Sequence, residues 1–163
     1  MAWDRNSAHY PRPVAQFDPT ACWAAGLEWW LRCMRNSRAF TSQLDLINRF
    51  SEYWNHDEDS PEYGTITGVN FGHIMDHDSI RMSYVVRAAG SWDKDFIAGK
   101  LDISPVVIGY NEQEVNGFHV NVIHSLNNTA SADVNVMDPN GGRYRTRSNQ
   151  HFKSGNYVLG WAI

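Results

Sequence analysis

The chain has 163 residues and a formal net charge of −4, with 42% apolar and 20% charged residues. That length suits one domain with a real core, and the balance of apolar and charged residues excludes a disordered chain. Nothing in this balance argues for nucleic acid, whose binding needs clustered Lys and Arg, and no apolar run reaches the ~20 residues of a membrane span.

The chain opens with Met1 to Val14, an extended arm, because Pro11 and Pro13 forbid a helix and bias their predecessors to extended geometry. Met1 to Arg5 has neither a basic region nor an apolar core. No secretory signal is expected, and the protein is expected to be made in the cytoplasm. Asp18-Pro19-Thr20 then forms a turn that feeds a long helix over Ala21 to Met34, ending at Asn36-Ser37. Pro19 suits a helix start, Asp18 or Thr20 can cap the first turn, and Phe17 can staple onto it. Apart from Gly26, Glu28 and Arg32 this helix is apolar, so protein should cover most of its circumference.

A second helix is predicted from Thr41 or Ser42 to Tyr53. Leu44, Ile47, Phe50 and Trp54 form its stripe, and Ser42 with Asp45 forms its capping pattern. Asn55 to Gly64 is an acidic, solvated loop. Thr65 to Ile80 is ambiguous. His73 and His77 would share a helical face there, but no third ligand follows at a recognisable spacing, so no metal and no cofactor is predicted. Met82 to Val86 reads as a strand or a helix end, and Ser91 caps a short helix running to Ile97. From Ser104 the period becomes two. Strands are expected at Val106 to Tyr110, His119 to Ser125, Asp133 to Met137, Arg143 to Arg147 and Tyr157 to Ile163. The polar loop Asn127 to Ser131 and the turn Asn140-Gly141-Gly142 lie between them. Helices first and an antiparallel sheet afterwards predict an α+β fold with two lobes in a single domain over 1–163.

Cys22 falls in the first turn of the long helix, where the partial positive charge of the helix end favours a thiolate. Taken alone, it is most simply a small core residue, since free cysteine is often buried. Three other features make it a candidate nucleophile. Gln16, six residues earlier, can bring a side-chain amide beside the helix mouth and, with the Cys22 N–H, hold an oxyanion. His119 opens a strand. Asp138 ends one, before Pro139 stops the ladder, and can fix the tautomer of an imidazole. His124 is five residues from His119, so a regular strand places the two on opposite faces and only one faces the helix mouth. His9, His56 and His151 sit in polar, loop-like surroundings and are given no role. Asn121 and Asn135 are weaker candidates than Asp138. Cys33 lies roughly 16 Å along the helix from Cys22, too far for a disulfide.

The Gln16…Cys22-Trp23-Ala24 pattern resembles that of the papain-like cysteine peptidases. Gly117-Phe118-His119-Val120 and Val136-Met137-Asp138-Pro139-Asn140-Gly141 are more similar to one bacterial branch, the double-glycine peptidase domains of bacteriocin exporters and related effector peptidases. The resemblance implies a papain-like fold, with a buried central helix in an N-terminal helical lobe packed on a C-terminal antiparallel sheet. It implies Cys22 as nucleophile, His119 as general base and acid, Asp138 as orienting group and Gln16 as oxyanion donor, with Trp23, Gly117 and Phe118 beside the substrate. Two departures favour the bacterial branch over the lysosomal one. Thr20-Ala21 stands where plant and lysosomal members have glycine-serine, and Asp138-Pro139 stands where they have asparagine followed by serine and tryptophan.

The expected activity is therefore peptide-bond hydrolysis, with small residues such as a Gly-Gly pair before the scissile bond. The same triad also supports glutamine deamidation, cross-linking or peptidoglycan amidase chemistry. A binding module with no activity is the third expectation. A constitutive peptidase would endanger its own cell. The chain is accordingly expected to be the toxin domain of a bacterial effector, delivered by a specialised secretion system and held off by a cognate immunity protein.

Overall fold

The computed structural model describes residues 3–35, 42–128 and 133–163. The expected helix end at Asn36-Ser37, the alternative helix start at Thr41 and the tip of the 127–131 loop lie outside them. The architecture is α+β, with a six-stranded, fully antiparallel sheet. Its strands are β1 (Met82–Arg87), β2 (Val106–Glu112), β3 (Gly117–Leu126), β4 (Val134–Asp138), β5 (Arg143–Arg147) and β6 (Tyr157–Ala162). Their spatial order is β1-β6-β2-β3-β4-β5. The last strand does not close an edge, as its place in the chain suggests. It lies inside the sheet between β1 and β2.

The long helix is α1 (Cys22–Cys33), and its residues Cys22 to Leu31 are all buried. It packs on β3 at Gly26, where an added Cβ would lie 2.9 Å from Val120 Cγ1. This close approach lets the helix rest on the strand that carries His119. α2 (Gln43–Arg49) begins at Ser42, whose Oγ accepts the Asp45 N–H, as the capping pattern predicts. It is shorter than expected, with a single 3₁₀ turn over Ser51–Tyr53 after it. Leu44 is exposed and Leu46 is buried instead, so the apolar stripe is centred on Leu46 and Phe50. The ambiguous stretch contains a third helix, α3 (Gly68–Asp76), capped by Thr67 Oγ1.

The order of elements is more interleaved than helices followed by sheet. β1 precedes α4 (Lys94–Leu101), and α4 is capped by Asp93 rather than Ser91. Trp92 stays outside that helix and stacks on Phe152 at 5.5 Å. The placement follows from burial. The strands alternate, so one sheet face packs Val107, Val120, Val122 and Val158 against α1 and α3. The other face packs Val106, Ile108, Ile123, Val136 and Leu159. An antiparallel sheet apolar on both faces needs cover on both. Ile97 and Leu101 of α4, Phe152 and Trp3 of the N-terminal arm supply the second cover.

The β4–β5 turn secures the chain entering α1. Gln16 N–H donates to Pro139 O at 2.9 Å. Gly142 has φ +60°, and a Cβ there would lie 2.7 Å from the Ala15 backbone nitrogen. Gly142→Ala should therefore lower stability by about 2 kcal/mol, from left-handed strain and displacement of the 15–17 segment. Gly155→Ala, at a position open to solvent, should stay within ~0.5 kcal/mol. Urea melts of both variants check this.

Candidate active site

Cys22 is the first residue of α1 and is 4% exposed. The thiol thus sits deeper than the exposed helix mouth the sequence suggests. The capping differs as well. Asp18 Oδ1 accepts Thr20 N–H at 2.7 Å and Thr20 Oγ1–H at 2.8 Å, which closes the turn before the helix. Ala21 occupies the N-cap position, and no side chain caps the first turn. The unsatisfied first-turn amides leave a positive helix end beside Cys22.

His119 is the third residue of β3 and is 2% exposed. Val122 pairs with Met137 across β3 and β4. One step further along, Asp138 lies beside Asn121, and His119 is its diagonal neighbour on the same face. His119 Nε2 and Asp138 Oδ1 are 2.8 Å apart. With Nε2 engaged there, Nδ1 is the ring nitrogen left for Cys22. Burial alone would push the His119 pKa down, but the hydrogen bond to Asp138, with the hydrogen bond and charge of Cys22, raises it to about 9. A histidine held protonated beside a cysteine is an imidazolium in position to stabilise a thiolate.

Asp138 is fully buried. Burial raises its pKa, but the hydrogen bond and charge of His119, the Asn140 N–H and Arg147 outweigh that and hold it at about 2. Its Oδ1 accepts from His119 and from Asn140 N–H at 3.0 Å. Its Oδ2 accepts from Arg145 Nη1 at 3.1 Å and Arg147 Nη2 at 3.3 Å.

Gln16 joins the group through its backbone bond to Pro139, next to Asp138. Its side-chain Nε2 donates to Asp18 O at 2.9 Å, and its Oε1 is buried without a hydrogen-bond partner among the described residues. The amide therefore serves the turn in this state. Gln43, which the sequence did not single out, fixes the same segment. Its Nε2 donates to Ala15 O at 2.7 Å, and its Oε1 accepts Phe17 N–H at 3.0 Å. The only sequence signal for it was its place at the start of α2. Buried Glu28 accepts the Gln43 N–H at 2.7 Å and so ties α1 to α2.

Two cavities are lined by chain neighbours of these residues. One, about 430 Å³ and mainly apolar, is lined by Phe118, Gly109, Val158, Val86 and Val69 and begins one residue from His119. The other, about 120 Å³, lies at the start of α1 between Ala21, Trp23, Ile47, Trp54 and Tyr63. Phe17 also lines it, 57% exposed, so it does not staple the helix. Of the expected substrate neighbours, Trp23 is buried at the smaller cavity and Phe118 lines the larger. Gly117 starts β3, with nothing within 4 Å of where a Cβ would stand.

The remaining histidines separate clearly. His124 packs among Tyr10, Trp29 and Tyr144, and burial pushes its pKa down to about 4. His151, which the sequence gives no role, has charged partners. Its Nε2 lies 2.6 Å from Glu112 Oε2, beside Arg147. Asn121 Oδ1 accepts from Tyr110 at 3.2 Å, and Asn135 bonds Ser125 and Asn127, so neither asparagine orients His119. Both cysteines are free, and burial raises the Cys33 thiol. Among the described residues no three His, Cys, Asp or Glu side chains form a metal-binding group, and no helix is long and apolar enough to cross a membrane.

No protein-family model matches this chain, and no curated protein matches it.

The raised His119 pKa has a thermodynamic consequence. Its stabilising contribution is complete below the unfolded value of about 6.5 and is lost as pH rises through about 9. An NMR titration of the His119 ring should have its midpoint near 9. In Asp138→Asn the midpoint should fall by at least ~1 unit, because burial is then less opposed.

Proposed function

We propose that the protein is a thiol hydrolase of papain-like architecture that cleaves peptide bonds. The observation that carries this reading is the buried His119–Asp138 pair, 2.8 Å apart, with Cys22 near enough to His119 to help raise its pKa. The Cys22 thiolate attacks the carbonyl carbon, and its lone pair forms the C–S bond. The carbonyl electrons move onto oxygen, held by the Cys22 N–H and by Gln16 once its amide turns from Asp18. His119 gives its proton to the leaving amine as the C–N bond breaks. It then takes a proton from water, whose oxygen attacks the thioester and releases acid and thiolate. Asp138 stays ionised and holds the imidazole in one orientation.

The larger cavity, lined by the chain neighbour of His119, suits an apolar side chain of a peptide substrate. It is wide for a glycine pair, and its Phe118, Val86, Val69 and Val158 walls offer a side chain apolar surface. The same triad serves amidase or deamidase chemistry. The apolar cavity favours a peptide over a sugar-linked substrate. Delivery as a bacterial effector toxin, with an immunity protein as cognate inhibitor, remains our proposal for its setting.

The test is a positional peptide library read by mass spectrometry. New termini clustered around one apolar position are expected, and Cys22→Ala should lose at least about 10³-fold in kcat/KM with an unchanged melting curve. Mass shifts of +1 Da without new termini would replace peptidase by deamidase. Full activity in Cys22→Ala would overturn the mechanism.

A further inference from the structure

We propose that Arg145 and Arg147 are positioning residues for His119, acting through Asp138; this rests on the triad reading above. They stand at alternate positions of β5, paired with Val136 and Val134, on the face that carries Asp138. Both guanidinium groups donate to the same oxygen, Oδ2, while His119 and Asn140 share Oδ1. A carboxylate held on both oxygens cannot rotate, so Oδ1 stays aimed at Nε2.

The arginines are fixed in turn. Arg147 is 5% exposed, and its Nη1 lies 3.1 Å from Glu112 Oε2, a carboxylate that is 1% exposed and accepts Tyr110 O–H at 2.6 Å. Arg147 Nη2 also meets Glu114 Oε2 at 3.2 Å, and Arg145 Nη2 meets Glu114 Oε1 at 3.3 Å. His151 closes the network against Glu112. A buried charge persists only with partners of this kind, and two carboxylates behind two arginines keep the arginines in place without neutralising Asp138.

A structural network would stabilise the sheet and nothing more. A positioning network also governs the His119–Asp138 hydrogen bond. The charged and titratable groups around Asp138 are His119 from β3, Arg145 and Arg147 from β5 in direct contact, Arg143 paired with it across the strands, and Tyr110 from β2. Behind the arginines stand Glu112, Glu114 and His151, and Cys22 acts on His119. Arg145→Gln removes one donor at a half-buried position and leaves the Arg147–Glu112 pair intact.

The experiment reads the downfield proton resonance of His119 Nε2–H by NMR, together with the acid limb of Cys22 alkylation by iodoacetamide. Wild type, Arg145→Gln and Arg147→Gln are compared, with melting curves for each. Neither readout needs a substrate, so failure to find peptide cleavage would count against the peptidase reading and leave this one standing. In Arg145→Gln we expect the resonance to broaden or move upfield. The acid limb should shift up by about one pH unit, because Asp138 then protonates more readily. Arg147→Gln should shift further if it folds. An unchanged resonance and acid limb in Arg145→Gln, whether or not its melting temperature falls, would overturn the proposal.

Discussion

The site depends on one constraint: Asp138 is a charge with no access to water. Such a carboxylate either takes up a proton or is surrounded by donors. Here it meets four, from His119, Asn140, Arg145 and Arg147. That arrangement requires β3, β4 and β5 to be adjacent and in the observed register. A slip of one residue in any of them would turn the groups to opposite faces. The antiparallel meander of these strands is thus what brings the acid, the histidine and the arginines together.

The second requirement is that α1 brings Cys22 close to His119. Gly26 allows the helix to lie directly on β3, and Glu28 and Gln43 lock it to α2 and to the 15–17 segment. The sheet also holds that segment, through Pro139 and Gly142. The start of α1 and the end of β4 are therefore tied by backbone contacts as well as through His119. The uncapped first turn of α1 costs helix stability and leaves free amides where an oxyanion would form.

Much of this was legible in the sequence where the signals are local. The apolar run after Asp18-Pro19-Thr20 gave α1, and the period of two after Ser104 gave strands close to the observed ones. Parity along β3 allows only one of His119 and His124 to face the helix mouth, and the place of His119 at the strand start next to Gly117 favours it over His124 near the far end. The structure adds a register shift between Ile123 and Ser125 and an aromatic packing site that keeps His124 away from Cys22. Other features were not legible because they depend on contacts across long separations. Nothing local says that β6 inserts beside β2, or that α4 is needed on the second face. His151 looked solvated because Glu112 and Arg147, its partners, lie on other elements. Ser91 and Asp93 are both good caps, and the stacking of Trp92 on Phe152 decides between them. Arg145 and Arg147 read as ordinary charged residues of a returning strand until the register showed what they face.

The most direct test of the account is the relative reactivity of the two cysteines. Brief, low-dose iodoacetamide labelling followed by intact mass and peptide mapping, from about pH 4 to 9, compares Cys22 with Cys33 in one molecule. An activated Cys22 labels quickly and alone, well below pH 8, and slows sharply in His119→Ala. Slow labelling of both cysteines, rising only near the ordinary thiol value of about 8.5 and indifferent to His119, would contradict an assembled thiolate–imidazolium pair.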